Sequence, residues 1–326
     1  MTQTFKQGYA VVVGVGFDLP VTIDDATAIA NLLCDSSRCA YPTEQLRLLI
    51  GEEASATNIL SVLSWLAHAA GKDDTVIVYF SGHGIETPDY YLMPYGYNLE
   101  NLQDTAILGS IFTEYIQAIQ AKKLLVLLDC CHAGGLAEAK GATKSPLPPS
   151  MLAQLGSSSG RVVLASSRKD EVSWTGKPYS VFTAALLEAM AGYGAFEQDG
   201  YTRVLDLAMW VGRKVPERTK DKQHPIIKIS NLEDNFALAW YAAGEKRPHS
   251  LPNWTDNIPT ITPGLDNAQV ATWKRMLTNY RKNLQLIDER MSEYVDFTAI
   301  PLQIENNRRF TETKIAELEQ KLGMKF

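Results

Sequence analysis

Three unbroken apolar runs constrain this chain more than anything else in it: YAVVVGV at Tyr9–Val15, TVIVYF at Thr75–Phe80 and LLVLL at Leu124–Leu128. A run without polar alternation is what a strand buried on both faces requires. Such burial is the normal state of a parallel sheet whose crossover helices cover it above and below. All three runs fall well short of the roughly 20 residues needed to span a bilayer. They are therefore expected to be core strands, and no membrane partner is expected.

The segments between the runs agree. Asp24 and Asp25 open a helical pattern that continues through Leu33, acids in a first turn being favoured by the helix dipole. Leu46–Ile50 reads as a strand. Thr57 is placed to cap a helix with Leu60, Leu63, Ala67 and Ala70 along one face. Tyr90–Met93 reads as a short strand and Ile111–Gln120 as a helix. Beyond the third run, Arg161–Ala165 and Ile226–Ile229 read as strands, and Phe182–Met190 and Val204–Val215 as helices. The expectation is an α/β domain over residues 1–243, with a mostly parallel sheet of about six strands and helices on both faces. Inside it, 133–160 carries AGG, KGATKSPLPPS and LGSSSG and reads as a long flexible loop. A loop of that length in a compact domain tends to be functional.

Residues 244–264 are Pro-rich and polar and read as a linker. In 265–326 the pattern changes. Trp273, Leu277, Tyr280, Leu284, Ile287, Met291 and Tyr294 recur at alternating four- and three-residue steps, a heptad stripe on one helix. Pro301 interrupts it, and a second charged helix over roughly Asn306–Leu322 would complete an antiparallel hairpin. Composition narrows the partners. The 326 residues carry a net charge of −6 and no long basic run, which disfavours nucleic acid. The polar start, Met1–Gln7, has no signal-peptide pattern. The four cysteines include no CxxC and no zinc spacing. A reduced, cytoplasmic setting is the simplest expectation, although Cys34 and Cys39 are close enough in sequence to pair.

Two short sequences follow the second and third runs: YFSGHG (Tyr79–Gly84) and LLDCCHAGG (Leu127–Gly135). The edge just past the strand ends is where open α/β sheets place their chemistry. Glycines on both sides of His83 are expected to turn the backbone sharply and leave the imidazole exposed. A thiolate, a nearby imidazole and backbone N–H groups aimed at an oxyanion are the parts of a nucleophilic peptidase. His83 and Cys131 supply the first two, and the N–H groups of Gly84 and Cys131 the third. His83 lies 48 positions before Cys131, close to the interval of about 50 between the paired residues of caspases. His132 reads as shaping the loop. GVGFD (Gly14–Asp18) hints at a nucleotide loop, but Leu19 stands where a third glycine is needed.

These motifs, with TIDDA (Thr22–Ala26), YYLMPY (Tyr90–Tyr95), VVLASSRKDEVSW (Val162–Trp174) and VFTAALLEAMAG (Val181–Gly192), resemble in order and spacing the caspase superfamily over roughly Tyr9–Leu238. The closest likeness is to bacterial metacaspase-like proteins. The resemblance implies the caspase fold and a Cys-His dyad with Cys131 as nucleophile, Cys130 being a packed thiol, and His83 as acid and base. Asp25 and Asp129 match the acids of the first specificity pocket of metacaspases, which implies cutting of protein substrates after Arg or Lys. Taken as residues alone, Asp129 equally suits a loop cap and Asp25 a first-turn helix acid. The loop at 133–160 matches the segment where such chains cut themselves, with Lys140 and Lys144 as candidate sites. No cofactor is required. Calcium activation is a property of metacaspases, but no metal-ligating acids are assignable here. The hairpin at 265–326 is similar to helical modules of bacterial conflict proteins, which implies docking to a sensor NTPase or to a like-domained partner. A catalytically inactive scaffold with the same fold is the alternative function, and the intact His–Cys pair favours the enzyme.

Overall fold

The structure is a computed structural model. It describes residues 4–131, 143–144, 148–168, 171, 173–174, 176, 178–197 and 199–241, and scattered helical positions between 277 and 319. The chain divides into two compact units, Met1–Pro259 and Thr260–Phe326. The first holds β1 (Gly8–Gly14), α1 (Val21–Cys34), β2 (Leu46–Ile50), α2 (Ala56–Ala69), β3 (Thr75–Thr87), β4 (Asp89–Met93) and α3 (Leu102–Thr105). Then come β5 (Ile107–Leu108), α4 (Gly109–Ala118), β6 (Lys123–Cys131), β7 (Thr143–Lys144), α5 (Pro149–Leu155), β8 (Arg161–Ala165) and α6 (Val181–Met190). The last elements are β9 (Tyr201–Arg203), α7 (Val204–Arg218), β10 (Ile226–Ser230) and β11 (Ala237–Trp240).

The main path of the sheet runs β10-β8-β6-β3-β1-β2. Five of these strands are parallel, and β10 closes one edge antiparallel to β8. The three apolar runs are the central strands β1, β3 and β6, as their unbroken hydrophobicity requires. Alternation along them feeds two cores. Ala10, Val12, Ile77, Tyr79, Leu125 and Leu127 pack under α1, α6 and α7. Val11, Val13, Val78, Phe80, Val126 and Leu128 pack under α2, α4 and α5.

Three sequence expectations shift. The second run does not stop at Phe80. β3 continues through the Ser-Gly-His-Gly segment to Thr87 because β6 pairs with it as far as His83 and β4 pairs with it from His83 onward. The stretch 133–160 is not loop throughout, since it contains β7 and α5, the latter packing Met151, Leu152 and Leu155 into the second core. The cap of α2 is Ser55, which accepts the amide of Asn58, two residues earlier than Thr57 suggested. Cys34 and Cys39 are free thiols. The linker residues 244–264 lie outside the described residues. In the second unit, Arg281 pairs with Glu319 and Arg308 with Asp288, each at 2.7 Å. Earlier residues of one helix thus meet later residues of the other, the order of an antiparallel pair.

Candidate active site

The site lies where β1 and β6 end beside the continuing strand β3. The parallel register sets Ser81 opposite both Gly14 and Asp129, and His83 opposite Cys131. The two residues 48 positions apart are therefore direct neighbours across adjacent strands, about 5 Å apart in backbone terms. His83 is not on an exposed turn. It is 4% exposed, in extended backbone, with Met93 of β4 as its other register partner. The flanking glycine serves close packing. A Cβ on Gly84 would fall 2.0 Å from the Tyr90 hydroxyl, so only glycine lets β4 seat this ring against β3. Gly84 itself pairs with Leu92.

Of the adjacent cysteines, Cys130 faces the second core. It is buried, and burial pushes its thiol up to about 12. A thiol so held is inert at neutral pH. Cys131, the last residue of β6, is placed by its backbone pairing. His132 and Lys140 lie outside the described residues.

Asp25 and Asp129 are both fully buried. Asp129 accepts hydrogen bonds from the hydroxyls of Ser173 at 3.2 Å, Ser180 at 2.5 Å and Thr183 at 3.1 Å. Ser180 joins the two acids: its hydroxyl goes to Asp129 while its amide donates to Asp25 Oδ1 at 2.9 Å. It also caps α6 by accepting the amide of Thr183. Burial, followed for Asp25 by repulsion from Asp129, raises both carboxyls above the usual carboxylate range, Asp25 furthest; the Ser and Thr hydroxyls around Asp129 hold its rise back. The other oxygen of Asp25, Oδ2, is buried with no hydrogen-bond partner among the described residues. A buried carboxyl oxygen without a donor, beside a second buried acid, is an unusual arrangement to keep unless a cation or donor completes it. The docking of α1 is what brings Asp25 here: Gly14 lets the Thr22 carbonyl approach to where a Cβ would be only 2.2 Å away.

The wall beside Asp129 is the segment after β8. Gln223, fully buried, donates to the Ser166 carbonyl at 2.8 Å and accepts the Trp174 amide at 2.9 Å. His224 is held between Glu171, 2.6 Å away, and Asp221, 2.9 Å away. Sequence reasoning missed Ser180, Thr183 and Gln223. The signal for the first two was the hydroxyl cluster just before and within the α6 motif, while Gln223 carries no sequence signal at all.

It also missed Asp18. This residue belongs to GVGFD, which had suggested only a weak nucleotide loop. The segment instead forms a tight turn after β1, and Asp18 Oδ1 lies 3.2 Å from His83 Nε2. Among the described residues, no group of three or more His, Cys, Asp or Glu side chains is placed to hold a metal ion. No helix among them is long and apolar enough to cross a membrane.

Comparison with known proteins converges on one family. The model described as "Caspase domain" matches residues 7–237. Metacaspase-1A of Aspergillus terreus is 24% identical over 247 residues, covering 66% of this chain and 58% of that protein. Metacaspase-1 of Eremothecium gossypii is 26% identical over 189 residues, covering 48% and 39%. The chain thus spans about half the length of the curated relatives it matches. Among solved structures, protein GSU0716 from Geobacter sulfurreducens aligns with a TM-score of 0.48 at 14% identity, over 73% of this chain and 98% of that one. The structure of pro-sf-caspase-1 aligns at 0.41 and 17%, over 76% and 94%. The caspase-domain match covers the whole six-stranded path and both motif strands, and on that ground this chain belongs to the caspase-domain family.

Proposed function

We propose that the protein is a cysteine endopeptidase that cuts protein substrates after Arg or Lys. The observation that carries the reading is the register placing His83 opposite Cys131 at the end of β6, with Asp129 two residues back along that strand and Asp25 of α1 buried beside it. In the reaction, the Cys131 thiolate attacks the scissile carbonyl carbon and the carbonyl electrons move to oxygen. The backbone N–H groups of Gly84 and Cys131 receive that oxyanion. Collapse breaks the C–N bond as protonated His83 gives its proton to the leaving amine. Water, deprotonated by His83, then attacks the thioester and expels the thiolate, restoring the enzyme. Support for basic specificity comes from Asp25 Oδ2, a buried carboxylate oxygen lacking a donor among the described residues. A guanidinium would satisfy it and relieve the Asp25–Asp129 repulsion together.

Self-cleavage in the 133–160 segment belongs to the same proposal. Lys144 pairs antiparallel with Ile85, two positions beyond His83 on β3, which favours it over Lys140. Arg161, at the far end, is buried and donates to the Ile116 and Ile119 carbonyls, so it is withdrawn from cleavage. The hairpin would serve as the docking surface for a sensor NTPase or a like-domained partner.

The test is hydrolysis of a fluorogenic peptide panel by wild type, Cys131→Ala, Cys130→Ala and His83→Ala. Wild type should prefer Arg or Lys before the scissile bond over Asp. Cys131→Ala should lose activity by about 10⁴-fold or more and His83→Ala nearly as much, while Cys130→Ala keeps most of it. An inert wild type would favour the scaffold reading, and an active Cys131→Ala would overturn the assignment.

A further inference from the structure

We infer that Asp18 is the positioning residue for His83: its carboxylate holds the ring by Nε2, so that Nδ1 is the nitrogen that exchanges a proton with Cys131. The inference rests on the Cys131–His83 reading above. An imidazole can act as acid and base toward a thiol only if one nitrogen faces the sulfur and the other is held in a fixed protonation state by a partner. Here Nε2 lies 3.2 Å from Asp18 Oδ1. That oxygen is buried, and the contact is one of charge: no donor among the described residues, His83 included, meets hydrogen-bond geometry on it. The other oxygen, Oδ2, accepts the Tyr97 hydroxyl at 3.0 Å. Burial by itself would raise the carboxyl, but His83 and Tyr97 outweigh it and hold it below the usual range. Asp18 is thus charged where it meets the ring.

The turn is built to hold this geometry. Phe17, a non-glycine residue, has a φ of +36°, in the left-handed region that costs roughly 1–3 kcal/mol and persists only where surroundings enforce it. The enforcement is visible. The Gly16 amide donates to the Thr22 hydroxyl at 2.7 Å, the Leu19 amide to the Gly16 carbonyl at 2.5 Å, and the Phe17 ring packs edge-on against Tyr95 and Tyr97. Other titratable groups around this end of β3 include Glu86 on β3, Tyr90 and Tyr91 on β4, and Cys130, Cys131 and Asp129 on β6. Tyr90 and Cys130 are raised by burial, and Asp129 is engaged by the Ser180 hydroxyl. Asp18 is an acid in contact with the ring.

The test needs no knowledge of substrate. Iodoacetate alkylation of Cys131 is followed by mass spectrometry against pH in wild type, Asp18→Asn, Asp18→Glu and His83→Ala. Iodoacetate is an anion drawn to the imidazolium, so its reaction with the thiolate falls off on an alkaline limb as the imidazolium deprotonates. Removing a carboxylate in contact with the ring destabilises the imidazolium, so Asp18→Asn should move that limb down by about one pH unit or more. Asp18→Glu should restore part of it. Against any peptide that wild type cuts, Asp18→Asn should lower kcat by about 10- to 100-fold with KM little changed, as when other imidazole-orienting groups are removed. An unmoved limb in folded Asp18→Asn overturns the inference. If His83→Ala also leaves the profile unchanged, it is the Cys–His reading that fails. Should Asp18→Asn not fold, nitrogen-15 spectra of the histidine-labelled Cys131→Ala chain decide, with His83 expected as the neutral Nε2–H tautomer. The Nδ1–H tautomer would overturn the inference.

Discussion

Asp25 and Asp129 show how a buried pair of acids costs stability. Both carboxyls are raised by burial, and Asp25 further by its neighbour. Between the unfolded value near 3.8 and the raised folded values, the native chain holds protons that the unfolded chain has released. Stability therefore falls as pH rises through that interval. Asp25→Asn removes the repulsion while keeping an oxygen for the Ser180 amide. It should raise the melting temperature at pH 7 by roughly 2–5 °C, with the gain vanishing below about pH 4. The same substitution should weaken cleavage after Arg selectively. Unchanged melting at pH 7, measured by calorimetry, would show that folding does not raise the Asp25 carboxyl. His224 works in the opposite sense. Its contacts with Glu171 and Asp221 raise its pKa, so the clamp on the segment after β8 is present below about 6.5 and is lost as pH rises through the raised value. Hydrogen exchange of residues 166–174 should accelerate over that rise, and should lose the pH step in His224→Ala.

The elements meet through close approaches that glycine alone permits, and two of these differ in what opposes them. At Gly84 a new Cβ would meet the Tyr90 side chain; at Gly14 it would meet the backbone carbonyl of Thr22. Gly84→Ala should cost about 1–3 kcal/mol by overpacking, and Tyr90→Phe in the same chain should recover part of this because it removes the nearest atom. Gly14→Ala should find no rescue in any change at Thr22, since every residue there keeps its carbonyl. Because α1 carries Asp25, Gly14→Ala should also impair cleavage of Arg peptides beyond its effect on stability. Double-variant melting and peptide hydrolysis, read together, check both statements. The glycines around His83 were legible in the sequence as important, yet they read as turn formers. Local propensity favours a turn there, but pairing to β4 and β6 on both edges keeps the segment extended.

The chain divides into two compact units, and the caspase-domain match ends at residue 237, before the second begins. A chain ending at Gly244 retains every strand among the described residues, including β11, which pairs with β9. It should melt as wild type does within a few degrees and cut small peptides at an unchanged rate, while losing any partner captured through the hairpin. Loss of folding in that truncation would mean that the hairpin completes the core. Active full-length protein should yield two fragments joined near Lys144 that stay associated, because β6 and β8 on either side of the cut are paired along their length. Cys131→Ala should remain intact.

Order and type of the strands were readable because continuous apolar runs admit few environments, and the runs at Tyr9–Val15, Thr75–Phe80 and Leu124–Leu128 are the three central strands. The motif residues His83 and Cys131 were readable because their spacing and neighbours are those of one family. What the sequence could not contain is the set of partners reached only after folding. Asp18 meets His83 from 65 positions away, Ser180 bridges Asp25 and Asp129 across three elements, and Gln223 ties down the pocket wall from beyond α7. Hydrophobic periodicity is a local quantity set by which face of an element is buried, so it survives in one dimension. A hydrogen bond between distant polar side chains has no periodicity and depends on where the sheet register and helix docking place each backbone. For that reason only the tertiary structure decided the electrostatics of the site.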